Sequence, residues 1–334
     1  MQHDIREEIK RLKRQMGEDL CILAHHYQQD AVVEHADYVG DSLELAQTIG
    51  RVGATHIIMC GVFFMAQSSA ILAQDTQKVY TPYTKAGCTL ADIAPAYMVE
   101  EVLRSLNAFH EVIPLAYVNT SAEIKAICGR YGGSVCTSAN STQMLQWALS
   151  QGEAVLFLPD KNLAFNTARE IGLSRGEISL LERGPKKGIR LYVWPGLCDV
   201  HVNFRKEHIL HIREMAPKAR IIVHPECPPE VVELADAAGS TSKIIKYVTQ
   251  APEGSTIYIG TEIHMVNRLR QRFKGKKEIL PLFECSCRFM DMITPLKLYR
   301  LLKNIDEAWV VEIGEDIKKD AQLALNRMLE VCNS

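Results

Sequence analysis

One plan, met three times along the chain, constrains its fold more than any other feature. Each repeat opens with an apolar run ending in polar residues: CILAHHYQ (21–28), VIPLAYVN (112–119) and RIIVHPEC (220–227). Each continues into a segment of small hydroxyl residues that starts a helical pattern: GDSLELAQ (40–47), CTSANSTQML (136–145) and GSTSKIIKYV (239–248). A second apolar run follows: THIIMCG (55–61), EAVLFLPD (153–160) and STIYIGTE (255–262). A last run ends in a cysteine: KVYTPYTKAGC (78–88), RLYVWPGLC (190–198) and EILPLFECSC (278–287). Short apolar runs alternating with helical periodicity predict parallel strands joined by crossover helices. Their recurrence in one order predicts repeated units.

The expected fold is therefore α/β: three similar α/β/α domains with parallel sheets, set with pseudo-threefold symmetry around a central active site. The domains are expected at 1–105, 106–205 and 206–314, and an amphipathic helix over 315–330 is expected to pack back on the first. At 334 residues, three units of about 100 residues are within the usual range. Ligand sites in open parallel sheets lie beyond the carboxyl ends of the strands. The polar ends of all three repeats are thus expected at one cavity.

A net charge of −2 gives no electrostatic case for nucleic acid or an anionic membrane. The most apolar stretch, IIMCGVFFMA (57–66), is far shorter than the roughly 20 residues of a membrane span. The charged, amphipathic N-terminus does not read as a secretory signal. The ten cysteines are expected as reduced thiols in the cytoplasm, most of them small buried hydrophobes. Walker A, GxGxxG and HExxH motifs are absent from the sequence, which argues against nucleotide hydrolysis, ordinary dinucleotide binding and zincin chemistry.

Cys88, Cys198 and Cys287 occupy the same slot in each repeat. Three thiolates around one axis could hold a tetrahedral metal or an iron–sulfur cluster; their wide spacing alone would equally suit three unrelated core cysteines. Ser42, Ser138 and Thr241 stand at expected helix starts, where hydroxyls serve as N-caps or where an anion binds. Equivalent strand ends carry His25 and Tyr27, Tyr117 and Asn119, and His224 and Glu226. A buried carboxylate such as Glu226 beside a metal could transfer protons. His201, three residues after Cys198, could support the metal ligand. Cys285 and Cys287 are one residue apart, poor spacing for a disulfide, and in an extended segment they would face opposite sides.

These residues resemble quinolinate synthase, the iron–sulfur enzyme of de novo NAD synthesis, over about residues 20–331. The resemblance is carried by LAHHYQ, DYVGDSLELA, FMAQSSAIL, AGCTLADIAP, YVNTSAEIKA, CTSAN, PDKNLA, WPGLCDVH, HPEC, GSTSKIIKYV, IGTEIHMVNRL and CRFMDMITP. It implies condensation of iminoaspartate with dihydroxyacetone phosphate to quinolinate, with release of phosphate and water. It implies one [4Fe-4S] cluster held by Cys88, Cys198 and Cys287, whose open iron acts as Lewis acid. The family's substrate-binding positions fall on His25, Ser42, Tyr117–Asn119 (with Val118), Ser138, His224–Glu226 (with Pro225) and Thr241. Tyr27, His224 and Glu226 are the expected catalytic residues. The implied partners are the two small substrates and the enzyme supplying iminoaspartate.

The sequence departs from the family at His264, where glycine is frequent, and at Phe165-Asn166. The stretch ICGRYGGSVC (127–136) looks like a lengthened loop. Two rival readings remain. The diphthamide synthase subunits are similar in having three domains that each offer a cysteine, but they cleave S-adenosylmethionine. A non-enzymatic iron–sulfur sensor or zinc-stabilised module is the other.

Overall fold

The computed structural model describes residues 2–181 and 186–333. Its strands form three sheets in which every pair is parallel. The first sheet holds β1 (Leu20–His25), β2 (Tyr38–Gly40), β3 (His56–Cys60) and β4 (Lys78–Tyr80), in the order β2-β1-β3-β4. The second holds β5 (Val112–Tyr117), β6 (Ser134–Cys136), β7 (Ala154–Leu158), β8 (Ile178–Leu180) and β9 (Leu191–Val193), in the order β6-β5-β7-β9-β8. The third holds β10 (Arg220–Val223), β11 (Ala237–Ala238), β12 (Thr256–Gly260) and β13 (Glu278–Pro281), in the order β11-β10-β12-β13. All three share one winding, and β8 is an extra edge strand of the second. The order of strand addition reverses between β1 and β3, β5 and β7, and β10 and β12, the place where such sheets bind ligands.

Sequence explains these strands simply. β1, β5 and β7 are buried at every position, as expected for strands covered by helices on both faces. One continuous apolar core runs beneath the first two sheets, from Leu23 and Met59 to Leu115 and Phe157. The third sheet has its own smaller cores, one on each face. It meets the first unit largely through polar bonds: Arg268 donates to the carbonyls of His26 and Gln28 at 2.8 and 2.6 Å.

Three expectations need correction. The C-terminal helix Glu315–Asn333 does not join the first domain alone. It lies mainly on the helix Ala122–Arg130 and β6 of the second unit, touching the helix Phe63–Leu72 of the first only in passing. Gly129 permits this, since a Cβ there would overlap the carbonyl oxygen of Asp320. Secondly, the helix Pro295–Lys303, assigned by the sequence division to the third unit, packs on the first sheet, with Leu298 and Leu302 against Ile9, Ile22 and Ile58. Thirdly, the stretch 127–136 is no simple loop. The helix Ala122–Arg130 runs into it, Gly132 turns the chain at φ 72°, and Cys136 ends β6. Cys128 and Cys136 are fully buried in the core. Among the described residues, no helix is long and apolar enough to cross a membrane.

Candidate active site

The carboxyl ends of all three sheets open onto one central cavity of about 720 Å³, its mouth included. His25 ends β1 and Tyr117 ends β5, while His224 directly follows β10. These residues line the cavity together with Tyr27, Ser42, Asn119, Ser138, Glu226 and Thr241, and so do Cys88, Cys198 and Cys287. Val118 and Pro225, expected with their neighbours, do not. Val118 turns to an apolar pocket with Leu45 and Met59, and Pro225 lines a surface groove near Arg169 and Lys243.

The hydroxyls are not helix caps. Asp41 caps the helix Ser42–Ile49, accepting from the Leu43 and Glu44 amides. Ser240 caps Thr241–Gln250. Ser138 lies three residues ahead of the helix Ser141–Gln151. With neighbours doing the capping, the three hydroxyls are released to the cavity. Thr241 Oγ1 is buried and has no hydrogen-bond partner among the described residues, and Ser138 Oγ lies 3.1 Å from His224 Nε2. The N-terminal ends of the helices Ser42–Ile49 and Thr241–Gln250 add positive potential here.

Glu226 is 2 % exposed and is flanked by two stacked imidazoles, His201 and His224, with ring centroids 4.4 Å apart. Its Oε2 lies 2.8 Å from His201 Nδ1 and 3.1 Å from His224 Nδ1. Burial alone would push its carboxyl up, yet the attraction of His201 and the hydrogen bonds from both rings more than offset this and hold it well below the usual carboxylate range. Oε1 is buried without a partner among the described residues, so it is the oxygen free to take a proton. A proton on His201 Nδ1, facing the carboxylate, leaves Nε2 to accept from Thr261 Oγ1 at 3.1 Å. That hydroxyl in turn accepts from Tyr27 Oη at 2.6 Å. Burial first, and then the charge of Glu226, push the Tyr27 phenol well up, and Tyr117 likewise. Both remain proton donors at neutral pH. His25, pushed down to about 3 by burial and then by His26 and His224, is a neutral ring.

Burial raises all three cavity thiols, Cys287 to about 11 and Cys88 and Cys198 further. His201 Nδ1 also lies 3.3 Å from Cys198 Sγ. Among the described residues, the one trio of potential ligands within 4.8 Å of one another is Cys198, His201 and Glu226. The three cysteines thus share a cavity but are spread more widely than the ligands of one small ion.

Several groups were missed in the sequence. Thr261 ends the second apolar run of the third repeat, where a lone threonine gives no signal. Asp160 is buried beside Glu226, and burial, then that neighbour's charge, raise it well above its usual range. Lys125 is fully buried. It donates to the Val118 and Thr120 carbonyls, bracing the loop that carries Asn119, and burial pushes it down to about 7. The unfolded chain keeps this proton up to its ordinary 10.5. The folded state therefore gains on the unfolded as pH rises from about 7 to 10.5, by at most about 1.4 kcal/mol per unit, and below 7 the effect is flat. The stability gap between the wild type and Lys125→Met, read from urea midpoints, is expected to widen in favour of the wild type between pH 7 and 9. Parallel curves would show that Lys125 keeps its ordinary proton affinity.

A three-sheet α/β enzyme, with its cavity where the sheets' carboxyl ends meet, is the class that fold and site define. The family described as quinolinate synthetase A protein matches residues 7–330, and the chain belongs to that family, one of enzymes of NAD biosynthesis. Relatives named quinolinate synthase include one from Bacillus cytotoxicus, 42% identical over 98% of this chain and 93% of its own. Another, from Acidobacterium capsulatum, is 40% identical over the same shares.

Proposed function

We propose that the enzyme condenses iminoaspartate with dihydroxyacetone phosphate to quinolinate, using a [4Fe-4S] cluster held by Cys88, Cys198 and Cys287. The observation that carries this reading is the convergence of one thiol from each repeat on a cavity rich in anion-binding groups. The donor set fits the cluster. A zinc ion, with Zn–S bonds of about 2.3 Å, would draw its thiolates to within roughly 4 Å of one another, whereas these three sulfurs do not all lie within 4.8 Å of one another. When bound, the cluster supplies an open iron, a Lewis acid toward a substrate oxygen.

The chain's own residues do the rest. Ser42, Ser138, Thr241 and the neutral His25 bind the carboxylates and phosphate, helped by the nearby helix N-termini. Tyr117 and Asn119 orient the carbon skeleton. Glu226 Oε1 accepts a proton during isomerisation and dehydration, with His224 and His201 steadying its charge. Tyr27, tied to Thr261, donates a proton to a leaving oxygen. Substrates are small molecules, and the cytoplasm, where thiols stay reduced, is the expected compartment.

Anaerobically reconstituted protein given both substrates is expected to form quinolinate. No quinolinate, with S-adenosylmethionine cleaved instead, would transfer the chain to diphthamide-type chemistry. Zinc at full occupancy without iron or sulfide would favour a structural metal at Cys198, His201 and Glu226.

A further inference from the structure

We infer that Asn166, with Asn162 one turn before it, is a positioning residue that fixes Glu226 by gripping its backbone from another unit. Both side chains project from the helix Lys161–Glu170 of the second unit and reach the segment after β10 in the third. Asn166 Nδ2 donates to the carbonyls of Pro225 at 2.8 Å and Cys227 at 2.9 Å. Asn162 Nδ2 donates to the carbonyl between them, that of Glu226, at 3.1 Å. Three successive carbonyls are thus held by two amides.

This grip falls on a stretch without strand partners. Glu226 and Cys227 are almost wholly buried, so water does not serve their carbonyls, and a buried acceptor left unmade is costly. The orientation of Asn166 is also one-way. Its Oδ1 is buried with no partner among the described residues; a flipped amide would set this oxygen against two carbonyls. The fold tolerates an unserved acceptor in order to place two donors on the backbone beside the carboxylate. At the other end of Glu226, His201 and His224 hold the side chain. Backbone and carboxylate are therefore fixed by different elements, and a loosened backbone would displace Oε1 although both imidazoles remained.

The inference rests on the reading of Glu226 as proton acceptor, and the test separates the two. Asn166→Leu keeps the size and removes both donors. It is expected to lower kcat about 10- to 100-fold, with KM for each substrate within about twofold and iron and sulfide content unchanged. In the Glu226→Gln background the same change is expected to leave the residual rate unaltered, because its effect passes through the carboxylate. A merely structural residue would lower both rates alike. Asn166→Ser, with one donor left, is expected to fall between, and serves if the leucine variant fails to fold. Unchanged kcat in a folded Asn166 variant, or an equal loss in both backgrounds, would overturn the inference. Full turnover by Glu226→Gln itself would overturn the reading of Glu226 and the inference with it.

Discussion

Changing Cys88, Cys198 or Cys287 to serine, one at a time, is expected to strip the protein of iron and to cut quinolinate formation by about a thousandfold. Each cysteine comes from a different repeat and reaches the same cavity. Serine keeps the shape, but its hard oxygen is a poor ligand where soft thiolates select iron–sulfur clusters. Losing Lewis-acid assistance removes several kcal/mol of transition-state stabilisation, about three orders of magnitude in rate. Cys285 supplies the control. Its Sγ lies 3.6 Å from both the Val200 carbonyl and Asn203 Nδ2, and it packs on the core of the third unit without lining the cavity. Cys285→Ser is therefore expected to keep its iron. Anaerobic iron and sulfide analysis reads all four variants. Wild-type iron in any of the first three would remove that residue from the ligand set, and iron loss from Cys285→Ser would make the two neighbouring thiols a joint ligand.

Much of this site was legible because the repeats write the same chemistry at the same strand ends. β1, β5, β7 and β10 are runs of four to six residues, long enough to show their type. β2, β6 and β11 are two or three residues long, too short for any periodicity, and they were not foreseen. The caps were misplaced by one residue because Asp41 and Ser240 directly precede the hydroxyls they free. Val118 and Pro225 were carried along by their neighbours, although alternate residues of an extended segment face opposite ways. The seating of the helices 295–303 and 315–333 depends on which apolar faces remain uncovered, and amphipathicity alone does not specify that. His201 was visible through its spacing from Cys198, whereas Asn162, Asn166 and Thr261 act through contacts between units that no local pattern encodes.

Glu226→Gln is expected to slow turnover by about 10²- to 10⁴-fold, the usual worth of a positioned proton-transfer group, while the protein keeps its iron. The amide fills the same space and its oxygen can still accept from His201 and His224, so fold and cavity should persist. What disappears is the ability to take a proton at the second position. In the wild type that position is Oε1, the buried oxygen with no partner among the described residues; in the variant an NH2 group can occupy it. The two imidazoles lose the negative charge they now share, which further weakens proton transfer around the intermediate. Single-turnover measurements with iron-replete protein separate this loss from any change in binding. Iron-replete Glu226→Gln that turns over at the wild-type rate would take the proton-transfer role from this carboxylate.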